Sequence, residues 1–593
     1  MDRRKRKCIF RFKKMWLQDE SCKPFVRDAW DSQLSTNSPE HIKGKLQQLG
    51  QSLMAWEASH FGSITKQLDT ERTRLAKIQA QPPTSINIVS AKELEKKITT
   101  LMQREETMWF QRSRVNWLRD GDKNTAFFHR VASGRKLRNS IDRIQDIDGY
   151  WKEEHNDIAG VFQRFYANLF NSTADLNPNG VLDAVNSGIP DELKTEIGAP
   201  FTEAEIVAAL SQMHPSKAPG PDDNALLAFE IFHAMKSNKA TRRGYFALKL
   251  DMSKAYDMVE WDFLHQVMLR VGLPSHIASL IMRCVSTVSY SVLTNEIPGD
   301  AFIPTRGLRQ GNPLSPYLFL FCAEVFSSLI RKSKSLGNIH GIQLCRRAPS
   351  VSHLFFADDS IIFGRANIQE IPEMKRIIAT YGAASGQVVN FDKSEISFSG
   401  GVSDTNAQTL AAVLGVHRVD KHHIYLGILA SAGRSKKVLF QSLVDRIRKK
   451  LKNWKASTLS VAGKLTLIKS VAQAIPMYIM SCFQIPADTC HQIDKLIANF
   501  WWGQEGDERK IHWLQWKKMC KPKENGGLGF REISAFNKAM LAKQGWRLLQ
   551  EDGSLLARTL KARYYPNGDL LTASIGHNPT APAAAKKKAA PAC

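Results

Sequence analysis

The stretch His353-Leu354-Phe355-Phe356-Ala357-Asp358-Asp359-Ser360-Ile361-Ile362-Phe363 constrains this chain more than any other. Two short runs rich in Phe and Ile, broken by adjacent aspartates, read as a β-hairpin whose turn carries both carboxylates. Like charges side by side at a rigid tip repel, so the arrangement is costly unless a cation sits between them or one carboxyl keeps its proton. Hard Mg2+ takes oxygen ligands and keeps positions open for phosphates. Such a tip is therefore a candidate phosphoryl-transfer centre. Asp-Asp is also ordinary turn chemistry, so the reading needs a partner segment.

That partner lies upstream. Tyr245 to Asp251 reads as a strand with Asp251 at its carboxyl end. Asp257 followed by Glu260 gives the capping pattern of a helix, and Phe263, Leu264, Val267, Met268 and Val271 then repeat at helical spacing. A strand-end aspartate beside a hairpin-tip aspartate is how two segments converge on two metals about 3.5–4 Å apart, one activating an attacking hydroxyl and one the leaving oxygen.

Three segments in order, Leu250-Asp251 through Lys254-Ala255-Tyr256-Asp257, then Arg306-Gly307-Leu308-Arg309-Gln310-Gly311-Asn312-Pro313-Leu314-Ser315-Pro316, then Phe356-Ala357-Asp358-Asp359, resemble the palm motifs of reverse transcriptases of plant non-LTR (LINE-type) retrotransposons. The resemblance runs from about residue 9 to about residue 577. It implies an α+β fold: a right-hand polymerase palm, an antiparallel sheet with packed helices, joined to a helical thumb and a helical N-terminal extension. It also implies RNA-directed DNA polymerase activity, with an RNA template, a DNA primer or target, and dNTPs. Asp251, Asp358 and Asp359 would be catalytic and would bind two Mg2+ ions, or Mn2+ in their place. Asp251 and Asp358 are the principal ligands and Asp359 the auxiliary one, because neighbours in an extended strand point opposite ways.

The resemblance assigns further roles. Tyr256 matches the aromatic set against the sugar 2′ position, a place where core packing is an equal alternative. Arg309, Gln310 and Gly311 would lie under the nascent base pair, with Gly letting the backbone approach the nucleotide. Ser315-Pro316 starts a helix, Ser as N-cap and Pro at N1. Ser385 to Ser394 resembles the closing palm segment, and Lys393 is a triphosphate or general-acid candidate, or a solvated surface charge. Tyr425-Leu426-Gly427 matches the primer-grip hairpin. The chain departs from the family in three places: the fingers block normally found between Asp222 and Asp223 is missing, Asn312 stands where Asp is usual, and the endonuclease, cysteine/histidine and RNase H regions of longer relatives are absent.

Charge points the same way. With 82 Lys+Arg against 57 Asp+Glu, the net charge is +25, which implies a polyanionic partner bound largely through counterion release. No apolar run reaches bilayer length, so nucleic acid fits better than membrane. Lys436 to Lys455 carries eight cations (Lys436, Lys437, Arg446, Arg448, Lys449, Lys450, Lys452, Lys455) against Asp445, with Val438, Leu439, Leu443, Val444 and Ile447 as an apolar face. This is a basic amphipathic helix suited to a duplex-tracking thumb. In Gln111 to Arg130, Arg112, Arg114 and Trp117 suit a strand-contacting surface, guanidinium on phosphate and aromatic on base; a helix with its aromatics turned inward is the alternative. The resemblance places template contact there.

The nine cysteines are scattered, odd in number and without a CxxC pair. They predict reduced thiols in an intracellular protein, with no disulfide framework or structural zinc. The basic start Arg3-Arg4-Lys5-Arg6-Lys7 reads as a nuclear address or as the end of a linker. The expected division is a helical, basic extension (1–139), a remnant of the fingers start (140–222), palm (223–400), primer grip and thumb (401–500), connector (501–578) and a disordered Ala/Lys/Pro tail (579–593). In the extension, Leu46, Leu49, Leu53, Trp56, Leu68, Leu75 and Ile78 give helical periodicity, the Gln81-Pro82-Pro83-Thr84 break follows, and a second helix runs from Ala91 to Arg112 as an antiparallel arm. A further amphipathic helix carries Ile158, Val161, Phe162, Phe165, Tyr166 and Phe170.

Overall fold

The structure, a computed structural model, describes residues 10–31, 39–60, 63–113, 133–134, 137–172, 179–186, 188–212, 222–237, 244–422, 424–429, 436–454, 459–504, 510–550 and 553–568. The chain divides into two units, Met1–Asn168 with Ser286–Pro304, and Leu169–Val285 with Thr305–Cys593.

The first unit is mainly helical: α1 (Cys22–Asp31), α2 (Pro39–His60), α3 (Ile64–Gln79), α4 (Ser85–Ser113) and α5 (His155–Leu169), with a hairpin of strands Tyr290–Thr294 and Ile297–Phe302. Its core gathers Met15, Trp16, Leu53, Trp56, Ile64, Leu68, Ile98 and Leu101, with Trp16 edge-on to Trp56 at 6.2 Å. Helices α3 and α4 pack together across the Pro82-Pro83 break, and Lys97 Nζ reaches Glu71 Oε1 at 2.6 Å. Helix α4 starts at Ser85, earlier than the expected Ala91, because Thr84 Oγ1 accepts from Asn87 N (3.3 Å) and fixes the first turn. Leu46 and Phe165, counted with the apolar faces, are exposed (55% and 54%).

The second unit is built on a five-stranded sheet. Helix α6 (Asp222–Ser237) leads to β1 (Tyr245–Leu250), α7 (Trp261–Val271), α8 (Ser275–Ser286), α9 (Ser315–Ser335), β2 (His353–Phe356), β3 (Asp359–Arg365), α10 (Glu370–Ser385), β4 (Glu395–Phe398), α11 (Asp404–Leu414) and β5 (His417–Arg418). Strand order is β5-β4-β1-β3-β2, antiparallel except for β5 beside β4. Side chains alternate across β1. Phe246, Leu248 and Leu250 share one core with Phe263, Leu264, Val267 and Met268 of α7 and with buried residues of α9, α10 and α11. On the opposite face Phe232 of α6 meets Phe363 at 6.2 Å. This is the α+β palm. It continues past the expected boundary at residue 400, since Leu410, Ala411 and Leu414 belong to the palm core and β5 extends the sheet.

After the palm come β6 (Ile424–Tyr425) and β7 (Ile428–Leu429), then α12 (Lys436–Asn453), α13 (Val461–Leu467), α14 (Met477–Cys482), α15 (Ala487–Trp501), α16 (Ile533–Gln550) and α17 (Leu555–Tyr564). Helix α12 buries Phe440, Leu443, Val444, Ile447 and Leu451 and packs on α15. Helix α16 locks on the end of α14 through Asn537, whose amide donates to Met480 O (2.8 Å) and Phe483 O (2.9 Å) and accepts from Ile485 N (2.9 Å). This region folds back on α6, where Phe229 meets Phe483 at 5.0 Å and Tyr564 Oη donates to Glu230 Oε2 (2.8 Å). Among the described residues, Cys22, Cys284, Cys322, Cys345, Cys482, Cys490 and Cys520 are not joined in disulfides, and no helix is long and apolar enough to cross a membrane.

Candidate active site

Asp251 follows directly on the central strand and is exposed. Its backbone is clamped by the segment after α10. Asn390 N donates to Asp251 O (2.8 Å). Asp251 N donates to Ser394 Oγ (3.1 Å), which in turn donates to Asn390 O (2.7 Å). With Ser394 fully buried, this places the aspartate at a fixed point on the sheet's rim.

The hairpin β2–β3 supplies the other carboxylates. Phe356 pairs with Asp359, so the turn is Ala357-Asp358, with Ala357 at φ +50°. The expectation that both aspartates sit in the turn is corrected: two-residue hairpins need a positive φ that matches strand twist, and Ala357 adopts it, leaving Asp359 as the first strand residue. Asp358 is thus a turn residue, outside the strand alternation on which the principal and auxiliary roles were argued. The β3–β1 ladder ends at Ser360 opposite Leu250, so Asp359 and Asp251 are the residues next beyond it on the two segments. Burial, then the charges of Asp358 and Asp251, push the Asp359 carboxyl up, while the Lys249 ammonium opposes them.

The donor chemistry suits a hard divalent cation: oxygen-only ligands whose mutual repulsion, visible at Asp359, a cation relieves. Among the described residues no three His, Cys, Asp or Glu side chains stand close enough together to hold a metal. The carboxylates therefore form an open arrangement at one end of the sheet.

Tyr256 is half-buried, its ring stacked on Phe319 (4.8 Å, 17°), and burial followed by the Asp358 charge raises its hydroxyl pKa. Its carbonyl accepts from Leu308 N (2.7 Å), tying it to the loop that exposes Arg309, Gln310 and Gly311. Gly311 sits at φ +86°. Asn312 Oδ1 accepts from Leu314 N (3.1 Å), a turn bond that an aspartate could make equally. Ser315 is the first helical residue of α9, behind Leu314 at the N-cap. Its hydroxyl donates to Arg309 O (2.8 Å), which takes it out of the expected capping role. Likewise α7 starts at Trp261 behind Glu260, with no side-chain cap, because the Glu260 carboxylate is engaged by Arg306.

Lys393 is exposed, its N–H directed to Asn390 Oδ1 (3.2 Å). Leu426 (φ +49°) and Gly427 (φ +75°) form the β6–β7 turn. Tyr425 is 2% exposed, so its ring offers no surface to a strand. Burial and then the Asp359 charge raise its hydroxyl pKa. Lys449, Lys450 and Lys452 are exposed on α12, opposite its buried face. In the first unit Arg112 lies in the last turn of α4, its guanidinium 5.1 Å from the Trp109 ring; Arg114 and Trp117 lie outside the described residues. Sequence reasoning missed the support given by Asn390 and Ser394, and the counter-charge of Lys249. Lys249 carried a signal, since it lies two residues before Asp251 and so on the same strand face.

Residues 202–429 match the family described as reverse transcriptase (RNA-dependent DNA polymerase). An uncharacterized mitochondrial protein of Arabidopsis thaliana is 42% identical over 108 residues, 18% of this chain and 70% of that protein. A Transposon TX1 149 kDa protein of Xenopus laevis is 21% identical over 93% of this chain and 50% of its own length. The Pol polyprotein of the type-1 retrotransposable element R2 of Popillia japonica is 24% identical over 50% of this chain and 41% of its own length. The chain thus spans half or less of these two transposon relatives. With its motifs in palm order on an α+β palm and these likenesses beside them, the chain belongs to the reverse transcriptase family, of the non-LTR retrotransposon type found in plants.

Proposed function

We propose that the chain is an RNA-directed DNA polymerase that joins a primer 3′-hydroxyl to the α-phosphate of a dNTP, releasing pyrophosphate. The observation that carries this is the β3–β1 register, which draws Asp251 and the Asp358-Asp359 pair to one rim of the sheet. Asp251, Asp358 and Asp359 would hold Mg2+, or Mn2+ in its place; the bound ion would neutralise phosphate charge and acidify the attacking hydroxyl. Tyr256, stiffened by Phe319, would bound the sugar, Arg309-Gln310-Gly311 would underlie the base pair, and Lys393 would face the triphosphate. Lys449, Lys450 and Lys452 would take duplex phosphates, the Leu426-Gly427 tip the primer, and Arg112, Arg114 and Trp117 the RNA template. Such work implies a nuclear location.

A second reading, a nucleic-acid-binding remnant without polymerase activity, is favoured by the absence of a three-ligand cluster among the described residues. Primer extension on an RNA template with Mg2+, beside the Asp358→Asn variant, decides between them. Extension that vanishes in the variant supports the polymerase. Strand binding without any Asp358-dependent extension leaves only the remnant.

A further inference from the structure

The connector after the thumb gathers cations around an aromatic stack. Helix α13 passes into a π-helical turn, Ile468–Ala472, a feature frequent at functional positions. That turn carries Lys469, whose ammonium lies 5.9 Å from the centroid of the Phe530 ring. Phe530 is buried, stacked on Trp516 (5.0 Å, 16°) and edge-on to Trp501 (5.3 Å, 76°), so the platform beneath the ammonium is rigid. Gly529, at φ +66°, carries only hydrogen where a Cβ would come within 3.2 Å of Lys469 Nζ.

The surrounding loop brings two more cations to the same place. Gly529 N donates to Lys521 O (2.9 Å) and Gly527 N to Pro522 O (3.1 Å), closing the turn that bears Lys523. From the residue after the π-helical turn, Gln473 Nε2 donates to Arg531 O (2.8 Å). This fixes Arg531, whose guanidinium lies 4.4 Å from the Phe536 ring. Burial, and after it the positive charges of Lys523 and Arg531, lower the Lys469 pKa. Three cations converge here, and cations crowded on a rigid support are relieved by an anion. Trp513, 78% exposed and three residues before Trp516, offers a face on which a base can stack. The three cations stand on separate segments, the π-helical turn, the turn after Pro522 and the residue after Phe530, so successive phosphates of a strand can engage them one by one.

We propose that Lys469, Lys523 and Arg531, set around the Gly526–Phe530 loop, bind the phosphodiester backbone of a nucleic-acid strand at a site separate from the palm. The assignment goes beyond the polymerase reading and does not require it, because binding is measured without nucleotide or extension.

The test uses the full chain, titrated by fluorescence anisotropy into single-stranded RNA, single-stranded DNA and duplex DNA at several salt concentrations. The triple variant Lys469→Gln, Lys523→Gln, Arg531→Gln is compared with a charge-matched control, Lys77→Gln, Lys92→Gln, Lys96→Gln, drawn from exposed positions of α3 and α4. The connector variant is expected to flatten the slope of log affinity against log salt by about 2, as loss of three single-strand phosphate contacts requires, and to weaken binding about tenfold. The nucleic acid showing the loss identifies the strand. Equal affinity and slope in the two triple variants would overturn the assignment. Lysine acylation of the unaltered protein gives a readout independent of folding: a saturating strand should protect Lys469 and Lys523, and undiminished acylation of both refutes the site.

Discussion

Glu260 and Arg306 form a buried ion pair, Oε1 to Nη1 at 3.2 Å with side chains 6% and 12% exposed, and their backbones make an isolated antiparallel bridge. Arg306 Nε also donates to Leu169 O (2.9 Å), and Trp261 Nε1 donates to Gly307 O (2.8 Å). The start of α7 is thereby fixed to the loop that ends in Arg309-Gln310-Gly311.

Removing one partner leaves the other charge buried and unpaired. Glu260→Gln and Arg306→Met should each destabilise the protein by about 3–5 kcal/mol in denaturant titration. The double variant should lose clearly less than the two combined; strict additivity would show that the two side chains do not act as a pair.

Ser394→Ala removes the acceptor for Asp251 N–H and a donor to Asn390 O. An orphaned buried donor costs about 1–3 kcal/mol. The rate of primer extension should fall while the KM for dNTP holds steady, since the change loosens a carboxylate and touches no nucleotide contact. A KM increase at unchanged rate would contradict this.

Asp494 accepts from Trp516 Nε1 (3.0 Å), and burial pushes its carboxyl up to about 6. The folded chain therefore keeps this proton to higher pH than the unfolded chain, where the group titrates near 4. Its contribution to stability is full below about pH 4 and is lost as pH rises through about 6. Asp494→Asn keeps the acceptor and abolishes the ionisation. The variant should be more stable than its parent at neutral pH by about 2–3 kcal/mol, with the difference closing below about pH 4. Thermal unfolding across pH checks both limbs.

His353, at the start of β2, is bonded through Nε2 to Ser327 Oγ (2.9 Å) and through Nδ1 to Ser352 Oγ (3.1 Å). Burial pushes its pKa down to about 4. The unfolded chain binds this proton near pH 6.5, so stability is lost as pH falls from about 6.5 to about 4. His353→Gln should flatten that acid limb. The Asp494 contribution runs the other way over much of the same range, so Asp494→Asn should steepen the acid loss that His353 causes.

Much of the palm is legible because its signals are local. The strand read in Tyr245 to Leu250 and the helical spacing of Phe263, Leu264, Val267 and Met268 each lie within one element, and all four of those helix residues are buried as expected. Features settled by distant partners are not legible. The Ala357-Asp358 turn depends on strand pairing, Glu260 gives up capping for Arg306, and Ser394 finds Asp251 across 143 positions of sequence. Leu46 and Phe165 keep helical spacing yet stay more than half exposed, since periodicity marks a face without saying what packs on it. Tyr425 shows the converse: a motif aromatic matched to a primer-contacting hairpin is buried.

The sheet places its earliest strand in the middle, with β3 on one flank and β4 on the other. During synthesis on the ribosome, the apolar segment Tyr245–Leu250 must wait with both edges bare until Arg365 has emerged, and with one edge bare until Phe398 has. Such long-range pairing slows folding and leaves a sticky nascent strand, so the yield of folded protein should depend on chaperones that shield the chain during that interval.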